Sequence, residues 1–255
     1  VLRSNLDFAA VGDDVRVLLI TSSVQGEGKS VIACNLALAM ALAGRRVTLV
    51  DADLRGPHVH QYLDIPNSRG VSTVVARRDD VSEALIPISL TQSKMGNGSI
   101  TLTARVAARV ATRAGASGPA SPGANGDSRV LWLRPDGGDD EASLYVLPSG
   151  PVPPNPGEMV ATPRFGEIIK GLAEDCDTVI IDAPAMLAVG DTAAMAPRVD
   201  ALLYVADPTK LRRTHLGRAR HQLSQLPCRK LGLVLVTSDH RHGYYSYSSA
   251  DGMRL

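Results

Sequence analysis

The residues with the clearest chemical potential in this sequence lie in one stretch, residues 21–30, which reads TSSVQGEGKS. An apolar run at residues 15–20 precedes it, and a helix-forming run at residues 31–43 follows it. A strand, a glycine-containing loop and a helix start, ending in Gly-Lys-Ser, match the spacing of a phosphate-binding loop. One position departs from that pattern, because its first glycine is replaced by Ser23.

The loop residues have distinct expected roles in binding phosphate. Gly26 and Gly28 allow the backbone to wrap closely, so that N–H groups point at phosphate oxygens beside the positive end of a helix. Lys29 would reach the outer phosphates, and the Ser30 hydroxyl would bind Mg²⁺. The predicted nucleotide-binding residues are Gly26, Glu27, Gly28, Lys29, Ser30 and Val31.

Carboxylates follow two further apolar runs. Asp51 ends RVTLVD, Asp53 follows two residues later, and Asp182 follows TVII. Ligands of open α/β sheets bind beyond the carboxyl ends of the strands, so all three should lie beside the phosphate-binding loop. An acidic residue ending a later strand commonly completes the metal site, which assigns Asp182 to Mg²⁺. The alternative interpretation is that these residues only cap solvated turns.

The pattern of apolar segments predicts the fold. Strands alternate with helices, and continuous apolar strands indicate burial on both faces, so we expect one α/β domain with a mostly parallel sheet flanked by helices. The predicted strands are 15–21, 46–51, 144–147, 178–181, 201–206 and 231–236, and the main predicted helices are 30–43, 163–173 and 210–226.

Composition narrows the function classes. The 255 residues are 44% hydrophobic. Their net charge is only +1, which argues against strong electrostatic binding of nucleic acid or anionic lipid. The three cysteines have no metal-ligand spacing and suggest reduced, cytosolic thiols. No apolar run reaches the length of a membrane span, and no signal peptide is visible. Because the sequence begins without Met, we suspect a fragment of a longer protein.

Two segments lack the spacing of apolar residues that helices and strands of a hydrophobic core show. Residues 91–140 are rich in Ala, Gly, Ser, Thr and Arg, which predicts a flexible insertion with a short helix at residues 104–113. Residues 240–255 form a polar tail that we expect to be disordered. This tail holds half of the six tyrosines, at Tyr244, Tyr245 and Tyr247.

Together these motifs resemble one family, the bacterial tyrosine kinases of the P-loop type. The loop TSSVQGEGKS is similar to their Walker A motif, LVDADLR to their second Walker A′ box, and VIIDAP to their Walker B motif. The tail YYSY resembles their tyrosine cluster, and GPVPPNPGEM resembles a further loop of the family. Such kinases form the cytoplasmic half of polysaccharide co-polymerases, and their fold is that of MinD/ParA-like P-loop NTPases.

The resemblance implies an ATP- and Mg²⁺-dependent protein-tyrosine kinase that phosphorylates itself. Lys29 would stabilise charge during transfer, while Ser30, Asp51 and Asp182 would organise Mg²⁺. Asp51 or Asp53 would lie near the attacking tyrosine hydroxyl as base or metal partner. The implied phosphate acceptors are Tyr244, Tyr245 and Tyr247.

The resemblance also implies partners and a location. Such kinases assemble as rings of identical subunits, modify the tail of a neighbouring subunit and then dissociate. They depend on a transmembrane activator, are reversed by a tyrosine phosphatase, and control capsule or exopolysaccharide synthesis. We therefore expect this chain at the cytoplasmic face of the bacterial inner membrane, itself soluble and without a nucleic-acid partner.

Two other functions remain open from the sequence. An ATPase switch of the MinD/ParA type would share the fold, although those proteins carry a second lysine where Ser22 and Ser23 stand. A non-catalytic nucleotide-binding scaffold of a polysaccharide export complex is suggested by Ala185, which stands where the family has proline, and by Val236, which replaces an asparagine near adenine. The tyrosine tail favours the kinase.

Overall fold

A computed structural model of the chain describes residues 2, 15–94, 100–106 and 143–236, which form one eight-stranded sheet. The strand order is β4-β3-β5-β2-β6-β1-β7-β8. The six neighbouring strands β5, β2, β6, β1, β7 and β8 run parallel to one another. Strand β3 pairs antiparallel with both of its neighbours, β4 and β5. The strands are β1 (Val17–Ser22), β2 (Val47–Asp51), β3 (Ile86–Lys94), β4 (Ile100–Val106), β5 (Ser143–Leu147), β6 (Thr178–Asp182), β7 (Ala201–Ala206) and β8 (Arg229–Leu235).

Helices cover both faces of the sheet, and two apolar clusters fill the spaces between the layers. The first long helix packs against one face, where Leu36, Ala37 and Met40 belong to one cluster. The second long helix, Pro163–Asp175, packs against the other face through Phe165 and Ile169. The helices are α1 (Lys29–Ala41), α2 (Val59–Tyr62), α3 (Val71–Val75), α4 (Val81–Ala84), α5 (Pro156–Ala161), α6 (Pro163–Asp175), α7 (Asp191–Met195) and α8 (Arg213–Gln225), with a 3₁₀ turn at Ala196–Arg198.

The local sequence explains where α6 begins and which face it buries. Thr162 precedes it, and its hydroxyl oxygen accepts a hydrogen bond from the Phe165 N–H at 3.3 Å, while Pro163 occupies the first helical position. Apolar residues then recur with helical spacing on one side of the helix. The buried residues of α6 are Phe165, Ile168, Ile169 and Leu172.

The predicted α/β class and mostly parallel sheet are confirmed, and each of the six predicted strands has its counterpart. The structure differs at the edge of the sheet, where residues 86–94 and 100–106 form the antiparallel pair β3–β4. The prediction of a flexible insertion over residues 91–140, with a helix from residue 104, is therefore wrong for residues 91–94 and 100–106. The segment ITLTARV alternates apolar and polar residues, a period-2 signal that outweighs its Ala- and Thr-rich composition. The rest of the proposed insertion, the polar tail and most of residues 1–14 lie outside the described residues.

Two expectations from composition can be compared with the described part of the chain. None of its helices has the length and apolar character needed to cross a bilayer. Cys34, Cys176 and Cys228 are all buried and none forms a disulfide in the described part of the chain, while their reduced state in the cell stays a prediction.

Candidate nucleotide-binding site

The topology brings the predicted site residues together. Strands β2, β6 and β1 are consecutive neighbours in the parallel sheet, so their carboxyl ends lie at one edge. The loop between β1 and α1 turns at Gly26 and Gly28, whose φ angles of 82° and 88° favour glycine. Gly28 is the N-cap residue of α1, and the helix begins at Lys29. The loop therefore ends at a helix N-terminus, the geometry that suits a phosphate group.

Lys29 is the centre of this site. Its ammonium group is 2.7 Å from Asp53 Oδ2 and 3.6 Å from Asp182 Oδ1, and it donates a hydrogen bond to Ser30 Oγ at 3.2 Å. Only 5% of the residue is exposed. Burial opposes the charge, but the carboxylates of Asp182 and Asp53 outweigh it and raise the pKa of Lys29 above its ordinary value. Lys29 thus remains a cation inside the protein.

Asp51 has a different environment from Asp53. It lies opposite Asp182 in the register of β2 and β6 and is fully buried. Its Oδ1 accepts the Asp53 N–H and its Oδ2 accepts the Val59 N–H, each at 3.2 Å. Burial and the neighbouring charge of Asp182 raise the pKa of Asp51 well above its usual range. Through these two hydrogen bonds Asp51 holds the backbone of the loop that connects β2 to α2.

Asp182 provides the observation that indicates a cation site. Both of its carboxylate oxygens are buried and lack a hydrogen-bond partner among the described residues. Burial raises the pKa of Asp182, although the charge of Lys29 opposes this. Buried carboxylate oxygens that lack a hydrogen-bond partner, with Lys29 at ion-pair distance and a serine hydroxyl nearby, suit a hard cation such as Mg²⁺. No three His, Cys, Asp or Glu side chains in the described ranges form a metal cage, so phosphate and water oxygens would complete the coordination.

Glu27, predicted as a loop residue for nucleotide binding, acts through its side chain as an internal brace. The residue is 1% exposed. Its Oε2 accepts the Val24 N–H at 2.7 Å, and its Oε1 accepts the Asp207 N–H at 3.3 Å. The phosphate-binding loop is thereby fixed to the residue that follows β7.

Two more contacts from β7 and the segment after it reach the loop, and no sequence pattern predicts either of them. The Ser23 hydroxyl hydrogen-bonds to the Tyr204 hydroxyl, at the position where the phosphate-loop pattern has glycine. The Lys210 ammonium donates to the Gly26 carbonyl and lies 3.6 Å from Asp207 Oδ2. Only a three-dimensional arrangement could reveal these contacts, because about 180 residues separate the partners along the chain.

An ion pair between an exposed arginine and a buried aspartate links the Walker A′-like segment to α7. Arg55 donates two hydrogen bonds to Asp191, from Nε to Oδ2 at 2.8 Å and from Nη2 to Oδ1 at 3.1 Å. Gly157 of α5 packs directly on this pair: a Cβ atom at this glycine would be 2.7 Å from Asp191 Oδ1 and 3.2 Å from Arg55 Nη2. Three segments from distant parts of the sequence meet there.

The residue at the predicted adenine position also contacts the loop. Val236 donates its N–H to the Ala206 carbonyl, and its methyl groups would lie 3.7 Å from a Cβ atom at Gly28. The predicted phosphate acceptors Tyr244, Tyr245 and Tyr247 lie outside the described residues.

Comparisons with known proteins agree with this geometry. A ParA family model, described as NUBPL iron-transfer P-loop NTPase, matches residues 15–115. The archaeal septum site-determining protein MinD from Pyrococcus horikoshii superimposes with a TM-score of 0.55 at 21% identity, covering 86% of this chain and 69% of MinD. The chain thus has the fold of the P-loop NTPases of the ParA/MinD type.

The relatives with the most informative names are tyrosine-protein kinases. The putative tyrosine-protein kinase CapB of Staphylococcus aureus is 26% identical over 98% of this chain and 88% of CapB. The tyrosine-protein kinase YwqD of Bacillus subtilis is also 26% identical, over 96% of this chain and 83% of YwqD. The solved structure of the chimerical protein CapA2B2 matches with a TM-score of 0.67 and 26% identity, covering 92% of this chain and 80% of that one. These matches confirm the resemblance to the P-loop tyrosine kinases of bacteria that the motifs predict.

Proposed function

We propose that this chain is an ATP- and Mg²⁺-dependent protein-tyrosine kinase that phosphorylates Tyr244, Tyr245 and Tyr247 of a neighbouring copy. Its similarity to CapB and YwqD supports tyrosine as the acceptor. We further propose that it acts at the cytoplasmic face of the inner membrane with a transmembrane activator and an opposing phosphatase, and that it controls capsule or exopolysaccharide synthesis.

The observation that carries the proposal is the buried group formed by Lys29, Asp53 and Asp182 at the end of the glycine loop. A cation held between carboxylates in a phosphate-binding loop can turn toward the phosphates of ATP when they enter. Ser30 and Asp182 would then hold Mg²⁺, which neutralises charge on the β- and γ-phosphates when bound. Phosphoryl transfer requires mainly this positioning and charge stabilisation.

The local contacts favour Asp53 over Asp51 as the carboxylate nearest the attacking tyrosine. Asp51 uses both oxygens to accept backbone N–H groups. Asp53 Oδ2 is bonded to Lys29 and becomes available when that ammonium group moves to the phosphates. In the proposed step the tyrosine oxygen bonds to the γ-phosphorus, its proton passes to Asp53, and the bond to the ADP oxygen breaks.

Lys29→Met tests the catalytic assignment, with Lys170→Met as the matched control on the exposed surface of α6. Incubated with ATP and Mg²⁺, the parent chain and Lys170→Met should both acquire phosphotyrosine, whereas Lys29→Met should acquire none. Phosphotyrosine retained in Lys29→Met would overturn the role of this lysine.

Mixing two variants tests transfer between copies. Lys29→Met keeps its acceptor tyrosines, and a second variant with Tyr244, Tyr245 and Tyr247 changed to Phe keeps the catalytic residues. Phosphate on the Lys29→Met chain after mixing is expected only if one copy modifies another. ATP hydrolysis without any phosphotyrosine would favour a ParA/MinD-type switch, and ATP binding without either reaction would favour a nucleotide-binding scaffold.

A further inference from the structure

The segment that follows β7 has an unusual charge distribution. Residues 208–236 contain no Asp or Glu. The rest of the chain holds 20 basic residues against 26 acidic ones, since seven of the 27 basic residues fall within this segment. The near-neutral total therefore conceals a cationic region. Its basic residues are Lys210, Arg212, Arg213, Arg218, Arg220, Arg229 and Lys230.

Helix α8 presents part of this charge beside an exposed leucine. Leu216 is 47% exposed, and Arg213 and Arg220 stand at i−3 and i+4 from it, on the same helix face. Neither arginine forms an ion pair with any residue in the described ranges, and both are exposed. Ala219, at i+3 from Leu216, is buried against the protein, so Leu216 stands beside the line along which the helix contacts the rest of the chain.

Strand β8 adds two more exposed leucines on the same side of the sheet. Leu233 pairs in register with Tyr204, and Leu235 pairs with Ala206. Tyr204 and Ala206 belong to the apolar cluster that also contains Ala219 of α8, so both leucines point to the α8 side. They are 55% and 60% exposed. Three of the four large hydrophobic residues found exposed in the described chain thus lie on this helix and strand.

We propose that this surface, defined by Arg213, Leu216, Arg220, Leu233 and Leu235 and here termed the β8-edge surface, binds directly to an anionic lipid bilayer. Arginines attract acidic headgroups, and leucines among them can enter the boundary between headgroups and acyl chains. Nucleic acid or an acidic peptide would satisfy the arginines but leave the leucines in water, so the combination favours a bilayer.

The acidic remainder of the chain would orient the molecule on such a membrane. An anionic surface repels the part that carries 26 acidic residues and attracts the β8-edge surface. This inference does not depend on kinase activity, because the surface includes none of the residues assigned to phosphate transfer. Lys29→Met should therefore bind vesicles as well as the parent chain does.

Vesicle flotation without ATP tests the proposal. The chain should bind vesicles of phosphatidylglycerol and phosphatidylethanolamine, and bind phosphatidylcholine vesicles at least about tenfold more weakly. Arg213→Glu/Arg220→Glu should lower binding to the anionic vesicles by about tenfold or more, since each cation near such a surface contributes about fivefold. Arg77→Glu/Arg78→Glu makes the same charge change on an exposed turn after α3 and should leave binding within about twofold.

Leu216→Gln tests the apolar part without disturbing a buried side chain. It should reduce the binding that persists at high salt, where electrostatic attraction is screened. Equal affinity for the neutral vesicles, or equal losses in the two double arginine variants, would overturn the proposal. So would failure to bind vesicles under conditions in which duplex DNA or a phosphotyrosine peptide binds through Arg213 and Arg220.

Discussion

At the scale of the residue, the site depends on charges and hydrogen bonds that compensate one another out of water. Lys29 keeps its charge because Asp53 and Asp182 surround it. Glu27 is equally hidden, but it uses its carboxylate to satisfy two backbone N–H groups. A buried carboxylate with such partners is costly to remove, because the donors it leaves behind are not hydrated.

Glu27→Ala should therefore lower the free energy of unfolding by about 2 kcal/mol and weaken ATP binding, since the Val24 and Asp207 N–H groups lose their acceptor. Urea denaturation and nucleotide titration would measure the two effects. Glu167→Ala is the control, because its one polar contact with the described residues is an exposed ion pair with Arg164, and the change should alter stability by less than about 0.5 kcal/mol. Equal losses in the two variants would show that Glu27 does not brace the loop.

At the scale of the element, short helices hold the loops around the site by close contact. Helix α5 approaches the Arg55–Asp191 ion pair through Gly157, at a distance that excludes a side chain. The pair joins the segment that carries Asp53 to the start of α7. A shift of α5 would therefore be transmitted to a carboxylate that contacts Lys29.

Gly157→Ala should destabilise the fold by about 1–3 kcal/mol and lower kcat, because its Cβ would displace Asp191 or Arg55. Gly171→Ala is the opposite case within helix α6: apart from the adjoining residues and backbone of its own helix, no atom of the described chain lies within 4 Å of its added Cβ. It should stabilise the protein by roughly 0.5–1 kcal/mol through helix propensity. Thermal unfolding of the two variants distinguishes them, and a stabilised Gly157→Ala would contradict the packing described for α5.

At the scale of the whole molecule, a parallel sheet collects the active residues at one edge and hides other reactive groups in its core. Cys34 lies in α1 near the site, yet burial raises the pKa of its thiol well above the ordinary value. Burial raises the pKa of Cys176 and of Cys228 as well. Because the thiolate is the nucleophile, a raised pKa and lack of access both suppress reaction.

The native chain should therefore react with thiol reagents at mildly alkaline pH far more slowly than the urea-unfolded chain does, by at least about 100-fold. Reaction with a chromogenic disulfide would follow the rate and the number of thiols. Fast labelling of one cysteine under native conditions, identified by peptide mapping, would contradict the burial of that residue.

The sequence was informative where chemistry and periodicity coincide. TSSVQGEGKS and the carboxylates after β2 and β6 marked the site, because strand ends of a parallel sheet must meet at one edge. It could not reveal the bond between Ser23 and Tyr204 or the packing of Gly157 on Asp191, which depend on segments far apart in the chain. The prediction that strand β4 belongs to an insertion was wrong, because the Ala- and Thr-rich composition was given more weight than the short period-2 alternation of apolar and polar residues.

The measurement that tests the central claim most directly is a map of phosphate positions by mass spectrometry after incubating the chain with ATP and Mg²⁺. The proposed kinase should carry phosphate on one or more of Tyr244, Tyr245 and Tyr247, and the same positions should be unmodified in Lys29→Met. A chain that binds ATP but leaves these three tyrosines unmodified, with and without the cytoplasmic segment of a transmembrane activator, would contradict the account.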